Sequence, residues 1–480
     1  MQLAKNSNGF IEFDIAMANR HGLIAGATGT GKSVTLKVLA EAFSSAGSAV
    51  FLSDVKGDLS GFAKAGSTSK KLEERLLKLD IHMPQFQSFP TIFWDLYAKD
   101  GHPVRTTVSQ MGPLILSRIL GLNDTQSQIL SIIFQIADDE GLLLLDTKDL
   151  KALLGFVGEH AKELRTKYGN FSSASLGAIT RAIVVLEGEG GEGFFGEPAL
   201  EVDDLLQKVD GKGSINVLNA AKLINSPRLY SSFLLWLLSE LFESLPEVGD
   251  VKVPKLVFFF DEAHLLFESA PKVLLEKIEQ LVRLIRSKGV GVFFVTQSVQ
   301  DIPDDVLAQL SNKIIHSLHA FTPKEQKNIK ALASAFMQDG SLDLAKELQS
   351  LGVGEAVIST LDSHAKPTHA ARAFIMPPQS SFAPLSADEM QNVIRQSPHF
   401  GFYEQQIDRE SAYEMLTKQA FEPQTHMPKK EEAPKEQPSE FGKIFGAFAS
   451  SAARAIGSKI GREIVRGIMG AIVGSSKRRR

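Results

Sequence analysis

The chain has 480 residues, of which 43% are hydrophobic and 22% are charged. This length predicts several domains of roughly 100–200 residues each, and the composition is typical of globular proteins. The sequence contains no cysteine, which excludes disulfide frameworks, thiolate zinc sites, iron–sulfur clusters and cysteine nucleophiles. It opens with no signal-peptide pattern and has no apolar run of about 18 residues, so we expect a cytoplasmic protein without transmembrane helices.

Charge is distributed unevenly along the chain. Residues 441–480 carry nine basic side chains and one acidic side chain, Glu463, whereas the whole chain has a net charge of −4. The tail therefore carries +8 and residues 1–440 carry −12. A basic segment on an acidic body predicts an anionic partner for the tail, which is nucleic acid, a membrane surface or the body itself.

Residues 1–99 combine short apolar strands with one helix. Strands are predicted over Phe10–Ile15, at a sheet edge, and over His21–Ala25, in the interior. A helix over Ser33–Ser45 and a second buried strand over Ala49–Ser53 follow. Strand–loop–helix–strand is a βαβ unit, which predicts a parallel sheet covered by helices. We interpret this segment as the first part of an α/β core domain.

Residues 100–212 show mainly helical patterns, which predict a helical insertion into the core. The predicted helices are Pro113–Leu120, Thr125–Ala137, Leu150–Tyr168 and Ser175–Leu186. A loop rich in Gly and Glu follows over Gly188–Pro198. Because glutamates repel phosphate, this loop is either a mobile turn or a lid that faces the substrate.

Buried strands return in residues 213–376, which we interpret as the second part of the core. They are predicted over Ser214–Leu218, Leu256–Phe260, Gly291–Thr296, Lys313–Ser317 and Ala356–Thr360. The run Leu256–Phe260 is apolar throughout, which is typical of a central parallel strand buried on both faces.

Three segments are predicted beyond the core. They are a helical extension over residues 377–421, a disordered linker over 422–440 that is rich in Pro, Glu and Lys, and a basic, Gly-rich helical tail over 441–480. Apolar residues recur every four positions in the tail, so no clean amphipathic face forms. The tail is either a partner-dependent helix with a solvated basic end or a segment that binds DNA, an anionic membrane or a protein.

A glycine-rich segment lies between the strand at His21–Ala25 and the helix that follows it, and it fits the P-loop pattern in full. Its glycines let backbone N–H groups surround a phosphate, and the helix directs its positive N-terminus at the same anion. We predict that Lys32 contacts the β- and γ-phosphates of ATP and that the Ser33 hydroxyl binds Mg²⁺. The predicted nucleotide-binding residues are Gly26, Ala27, Thr28, Gly29, Thr30, Gly31, Lys32, Ser33 and Val34.

Two acidic residues directly follow the apolar strand Leu256–Phe260. Buried carboxylates are costly unless they are paired or bind a metal, so this position favours a catalytic role. Asp261 is predicted to hold Mg²⁺ through its water, and Glu262 is predicted to act as general base on the attacking water. The second acid favours hydrolysis coupled to mechanical work over phosphoryl transfer to a small acceptor.

Two neighbouring positions have alternative interpretations. Gln297 follows the buried strand Gly291–Thr296, where it is either a sensor that contacts the γ-phosphate or orients water, or a cap of the strand. Asp261–His264 spells DEAH, but the downstream motif of the large helicase group with this signature is missing. We therefore expect His264 to support the site rather than to bind a ligand.

Several of these motifs, in this order, resemble the HerA/FtsK-type additional-strand P-loop ATPases, and most closely the bacterial HerA-like helicase C-terminal-domain family. The resemblance covers residues 9–375. The segments that carry it are Gly22–Ser33, Ser53–Asp58, Gly101–Arg105, Phe194–Pro198, Phe258–His264, Arg286–Ser298 and Asn312–Lys313.

The resemblance implies a RecA-like P-loop NTPase, so the expected fold is α/β with a mostly parallel sheet, a helical insertion and the basic C-terminal tail. It also implies a homo-oligomeric ring, a hexamer, that moves double-stranded DNA through a central pore by Mg²⁺-dependent ATP hydrolysis. HerA proteins carry an N-terminal β-barrel that helps to dock a nuclease. Because the P-loop here begins at Gly26, no such nuclease partner is expected.

Two further features gain a role through the resemblance. It places the loop with Asp54 and Asp58 beside the nucleotide, whereas the residues alone also fit a strand-terminal turn with solvated charges. It makes Arg286, near the end of a helix predicted over Ala270–Lys288, a catalytic arginine finger that acts on a neighbouring subunit. Arg283 and Arg286 also fit a simpler role as basic partners of the helix dipole.

Two functions from different classes are compatible with the sequence. One is a ring-forming ATPase that translocates or remodels DNA. The other is a nucleotide-switched scaffold whose basic tail binds a membrane or a protein. An ABC-type ATPase is disfavoured because no LSGGQ-like signature occurs. Stimulation of ATP turnover by duplex DNA separates the two.

Overall fold

A computed structural model describes residues 1–267, 272–338, 340 and 343–421. The predicted linker over 422–440 and the predicted tail over 441–480 lie outside the described residues. Within the described part of the chain, every helix is too short or too polar to span a bilayer.

The strands are β1 (Gln2–Asn6), β2 (Gly9–Glu12), β3 (Gly22–Ala25), β4 (Ala49–Asp54), β5 (Thr91–Asp95), β6 (His102–Pro103), β7 (Lys208–Val209), β8 (Lys212–Gly213), β9 (Ile215–Asn219), β10 (Leu256–Phe260), β11 (Val290–Thr296), β12 (Asn312–Ile315), β13 (Glu355–Ser359) and β14 (Ala371–Ile375). The α-helices are α1 (Lys32–Ser45), α2 (Lys70–Leu79), α3 (Val108–Ile119), α4 (Asp124–Glu140), α5 (Thr147–Glu159), α6 (Ala161–Tyr168), α7 (Ser173–Gly188), α8 (Val202–Leu205), α9 (Pro227–Ser244), α10 (His264–Phe267), α11 (Lys272–Ile285), α12 (Asp304–Leu307), α13 (Pro323–Ser334), α14 (Leu344–Ser350), α15 (Ala387–Gln396) and α16 (Ala412–Phe421).

The chain divides into two units. The first contains residues 1–102 and 201–400, and the second contains residues 103–200 together with the described residues from Gly401 onwards. The second unit is helical, with α3 to α7 and α16. This unit differs from the helical insertion predicted over residues 100–212, because it also contains residues 401–421 of the extension predicted over 377–421.

Polar contacts explain why residues 401–421 belong to the second unit. The guanidinium of Arg409 donates to the Glu197 carboxylate at 2.5 and 2.7 Å. The Asp149 carboxylate, at the start of α5, accepts from the backbone N–H of Tyr413 at 2.8 Å. The extension predicted as one segment over 377–421 is therefore divided, and its helix α15 lies in the first unit.

A twelve-stranded sheet has the order β2-β1-β14-β13-β12-β3-β11-β10-β4-β9-β5-β6. From β12 to β5 in this order each strand runs parallel to its neighbour. Beyond β12, the strands β13, β14, β1 and β2 extend the sheet by antiparallel pairing. The sequence predicted the central parallel strands, whereas β1, β5 and β14 were missed.

The middle of the sheet is apolar on both faces. Every residue of β10 and β11 is buried. The rings of Phe51 and Phe258 stack with centroids 4.6 Å apart, and those of Phe259 and Phe293 pack at 5.2 Å. This packing fixes the strands side by side. Because parallel strands end at a common edge, the polar residues that follow β3, β4, β10 and β11 are brought together there.

Some predicted boundaries differ from the structure. The strand predicted over Phe10–Ile15 ends at Glu12, because Asp14 accepts from the N–H of Ala16 at 3.0 Å and starts a 3₁₀ turn. The helix predicted over Leu150–Tyr168 is two helices, since His160 leaves helical geometry between α5 and α6. The helix predicted to end at Lys288 ends as α11 at Ile285 and continues as a 3₁₀ turn over Arg286–Lys288, which Gly289 terminates with φ +74°.

Candidate active site

The glycine-rich loop connects β3 to α1, as the P-loop pattern predicts. Gly29 and Gly31 have φ of +78° and +122°, a region that side-chain-bearing residues rarely adopt. The ammonium of Lys32 donates to the carbonyl oxygens of Gly26 at 2.6 Å and Ala27 at 3.1 Å. The loop thus curls around the lysine at the N-terminus of a 14-residue helix, which is the arrangement that binds phosphate.

The loop is supported from behind by His316, which follows β12. Nδ1 of His316 lies 2.8 Å from the carbonyl oxygen of Glu355, and Nε2 lies 2.8 Å from the Thr35 hydroxyl of α1. Because a carbonyl only accepts, Nδ1 carries the proton and Nε2 accepts from Thr35. Burial lowers the pKa of His316 to about 4, so the ring is neutral at pH 7. Gly26 allows this approach, since a Cβ there would lie 2.5 Å from the His316 Cβ.

The two acids predicted to be catalytic follow β10 at the edge where β3 and β11 also end. Asp261 and Glu262 are both buried at 5% exposure. The N–H of Ala263 donates to the carbonyl oxygen of Val295 at 2.9 Å, which fixes the turn to β11. Glu262 has φ +50°, an unusual conformation for a residue other than glycine. Such strain concentrates at functional sites.

Three side chains surround the Glu262 carboxylate. The ammonium of Lys56 lies 2.6 Å from Oε1, and the amide of Gln297 donates to Oε2 at 3.3 Å. Nδ1 of His264 lies 3.3 Å from Oε2. Burial would raise the pKa of Glu262, but the hydrogen bond and charge of Lys56 outweigh it and hold this pKa below its ordinary value. Glu262 is therefore ionised at neutral pH.

These contacts bear on two interpretations made from the sequence. The Gln297 amide lies 3.5 and 3.3 Å from the two carboxylate oxygens of Glu262, and its role as a γ-phosphate sensor stays a prediction. His264 lies beside the same carboxylate, and its supporting role also stays a prediction.

Asp261 is in a different electrostatic environment. Burial raises its pKa to about 7, although the nearby charge of Lys56 opposes the rise. A carboxylate that is so costly to ionise gains from a bound cation. Burial also lowers the pKa of Lys32, and the charge of Lys56 lowers it further.

The side chains present fit a magnesium–nucleotide complex. Mg²⁺ in phosphate sites prefers one or two oxygen ligands from the protein and completes its shell with phosphate oxygens and water. Ser33 in the first turn of α1 and Asp261 after β10 supply a hydroxyl and a carboxylate at the same sheet edge. Among the described residues, no cluster of three or more His, Asp or Glu side chains could hold a metal ion.

The loop after β4 was predicted either to lie beside the nucleotide or to be a simple turn. The Asp54 carboxylate holds the turn, since it accepts from the N–H groups of Gly57, Asp58 and Leu59 at 2.7, 3.2 and 2.9 Å. It is buried, unlike the solvated charge expected of a simple turn. The same loop nevertheless reaches the site, because it carries Lys56 to Glu262.

Arg286 lies away from the other predicted catalytic residues of its own chain. It precedes β11 and donates to Asp250 at 2.7 Å, whereas Gln297 follows β11. At about 3.3 Å per residue, this strand separates the two ends by roughly 20 Å. Arg283 is paired with Glu279 at 3.7 Å on the outside of α11. Arg286 therefore lies too far along the strand to contact a nucleotide beside Gln297.

The family model described as Helicase HerA-like C-terminal matches residues 2–479. The chain belongs to this family. The family membership predicted from the sequence motifs is therefore confirmed.

Curated relatives of this HerA-like chain include two proteins that are named as helicases. The DNA double-strand break repair helicase HerA of Sulfolobus acidocaldarius is 22% identical over 356 residues, which cover 73% of this chain and 64% of the relative. The protein of the same name from Saccharolobus solfataricus is 29% identical over 164 residues, which cover 33% of this chain and 31% of the relative. The chain thus spans less than two thirds of the length of these relatives.

Solved structures resemble the HerA-like chain in fold. The bacterial conjugative coupling protein TrwBdeltaN70, in complex with sulphate, has a TM-score of 0.52 at 17% identity and covers 80% of this chain and 92% of that one. The plasmid coupling protein TrwB in complex with the ATP analogue ADPNP has a TM-score of 0.51 at 17% identity and covers 77% and 88%. These likenesses confirm the predicted α/β fold with a mostly parallel sheet of the RecA-like P-loop type.

Sequence reasoning missed Lys56 as a residue of the site. Its signal is indirect, because the lysine lies two residues beyond β4 and its partner lies two residues beyond β10. Only the parallel pairing of β4 with β10 brings the two loops together. A sequence argument would have needed that strand order to find the pair.

Proposed function

We propose that this protein hydrolyses ATP with Mg²⁺ at the P-loop and works in the cytoplasm as a homo-oligomeric ring, a hexamer, that translocates or remodels DNA. The observation that carries the hydrolytic part is the Glu262 carboxylate. It is buried and ionised, and Gln297 holds it at the sheet edge where the P-loop begins. A carboxylate in this position suits a general base for water.

Each side chain has a distinct role in the proposed reaction. Lys32 and the N–H groups of the P-loop bind and orient the β- and γ-phosphates. Glu262 orients the attacking water and accepts its proton, and Gln297 keeps the carboxylate directed at that water. Ser33 and Asp261 would hold Mg²⁺, which supplies positive charge that offsets the charge of the phosphates when it is bound.

Ring formation accounts for the position of Arg286. Arg286 is roughly 20 Å along β11 from the site of its own chain, so its proposed target is the nucleotide of another subunit. Its exposed partner Asp250 leaves the guanidinium at the surface, where a neighbour could recruit it. An arginine supplied in this way stabilises the charge that develops on the transferred phosphoryl group.

DNA is proposed as the substrate through the family. Both curated HerA relatives are named as helicases of DNA double-strand break repair. The net charge of −12 on residues 1–440 opposes extensive contact with phosphates, so DNA contact has to be confined to a locally basic surface or to the tail.

Measurement of ATP turnover with and without duplex DNA tests the proposal. We expect turnover that requires Mg²⁺ and rises with duplex, and larger particles when a non-hydrolysable ATP analogue is added. The ring size is read from the mass of those particles.

If duplex DNA does not change the rate of ATP turnover at low ionic strength, the alternative function, a nucleotide-switched scaffold, would be favoured. The unequal charge of body and tail supports that alternative, since a basic tail on an acidic body is free to bind a membrane or a protein. Absence of any Mg²⁺-dependent turnover would contradict both functions.

A further inference from the structure

Lys56 and Glu262 form an ion pair whose two side chains differ in their exposure to solvent. The Lys56 ammonium lies 2.6 Å from Oε1 of Glu262. The Lys56 side chain is 39% exposed, whereas the Glu262 side chain is 6% exposed. The lysine can therefore turn toward solvent or toward another anion, while the carboxylate stays enclosed by its neighbours.

The backbone that carries Lys56 is held in place. The buried Asp54 accepts from the N–H groups of Gly57 at 2.7 Å and Leu59 at 2.9 Å, directly beyond the lysine. The flexible side chain of Lys56 thus extends from a backbone position that is fixed. A change of partner requires only rotation about side-chain bonds, which is fast compared with enzymatic turnover.

The charges around Lys56 favour such a change when a phosphate arrives. Burial lowers the pKa of Lys32, and the nearby positive charge of Lys56 lowers this pKa further. Lys32 is bound to carbonyl oxygens of the phosphate loop. Two ammonium groups beside this loop favour a ligand with additional negative charge, and a γ-phosphate supplies it.

We propose that Lys56 exchanges Glu262 for the terminal phosphate of ATP, so that the arrival of the γ-phosphate releases the carboxylate to act on water. ADP lacks this phosphate and leaves Lys56 on Glu262. Lys56 therefore distinguishes the triphosphate from the diphosphate. This inference rests on the proposed function, because it takes the P-loop as an ATP site.

Binding measurements test the exchange without relying on turnover. Dissociation constants for Mg²⁺–ADP and for a non-hydrolysable Mg²⁺–ATP analogue are compared in the full chain and in Lys56→Met. We expect the variant to bind the analogue about tenfold more weakly, because it loses one hydrogen bond between charged groups. Its affinity for ADP should not change. Lys56→Arg should recover part of the loss. Lys64→Met is the matched control, since Lys64 pairs with Glu389 on the surface.

A double-mutant cycle tests the competition itself. In Glu262→Gln, Lys56 has no ion pair to break before it binds the γ-phosphate. The variant should therefore bind the analogue several-fold more tightly than the unmodified chain does. Lys56→Met in that background should abolish the gain. Equal losses for ADP and analogue in Lys56→Met, or a gain that persists without Lys56, would overturn the exchange. An unmodified chain that binds neither nucleotide would instead overturn the proposed function.

Discussion

Replacement of Glu262 by Gln separates catalysis from binding in the proposed site. Gln has nearly the same size, and it meets the same backbone conformation at φ +50°. The change therefore removes the negative charge and the basicity of the carboxylate without a new steric cost. The phosphate-binding groups lie on a different segment, between β3 and α1, and they keep their contacts.

The magnitude follows from the surroundings of the side chain. Loss of a general base typically costs 10²–10⁴ in rate, or about 3–5 kcal/mol of barrier. The effect on folding should be much smaller. The Lys56 side chain is 39% exposed, so solvent screens its charge and the lost ion pair is worth at most about 1 kcal/mol.

The assay compares two variants by nucleotide binding, ATP turnover and thermal melting. We expect Glu262→Gln to bind nucleotide and to lose turnover, and Lys32→Ala to lose nucleotide binding. Both should melt near the temperature of the unmodified chain. If the two variants had equal nucleotide affinity, whether retained or lost, the assignment of Lys32 to binding and Glu262 to chemistry would be refuted.

Other consequences can be measured separately. Deletion of residues 441–480 should leave basal ATP turnover intact and weaken salt-sensitive binding to anionic surfaces; a truncated chain that unfolds or loses turnover would assign the tail to the core. Arg286→Ala should bind ATP but hydrolyse it poorly, and mixing it with Lys32→Ala subunits should restore some turnover; failure to recover despite subunit exchange would exclude action across an interface. Burial lowers the pKa of His21 and His316 to about 4, so the unfolded state gains protons first as pH falls below about 6.5, and the melting temperature should drop between pH 6.5 and 4. A melting temperature that is constant over this window would contradict neutral, buried rings.

The parallel centre of the fold could be predicted because its strands have a strong local signal. Leu256–Phe260 was predicted with its observed ends, since a strand that is buried on both faces has apolar residues at every position. Two of the antiparallel strands, β1 and β14, could not be found in this way. β1 and β14 pair with each other and carry half-buried polar residues, so their pattern is weak and their partners are far apart in the sequence.

The candidate site also contains residues that local motifs predict and residues that only the pairing of distant strands brings together. The P-loop and the acid pair are local motifs, and the structure brings them to one edge of the sheet. The roles of Asp54 and Lys56 depend on which loop contacts which, and that is decided by the pairing of β4 with β10. The sequence placed the loop near the nucleotide only by family resemblance. It did not distinguish the aspartate that holds the turn from the lysine that reaches the carboxylate.

The position of Lys56 bears on how ATP binding and hydrolysis are coupled. A general base that stays free would act on water whenever a nucleotide is near, and binding would not control its use. A base held at 2.6 Å by a cation from another loop is restrained until an anion competes for that cation. In this chain the competing anion would enter beside Lys32, whose charge already repels that of Lys56. The two loops after β4 and β10 then respond together to a γ-phosphate, and the α1 helix that binds the phosphate need not move for the base to be released.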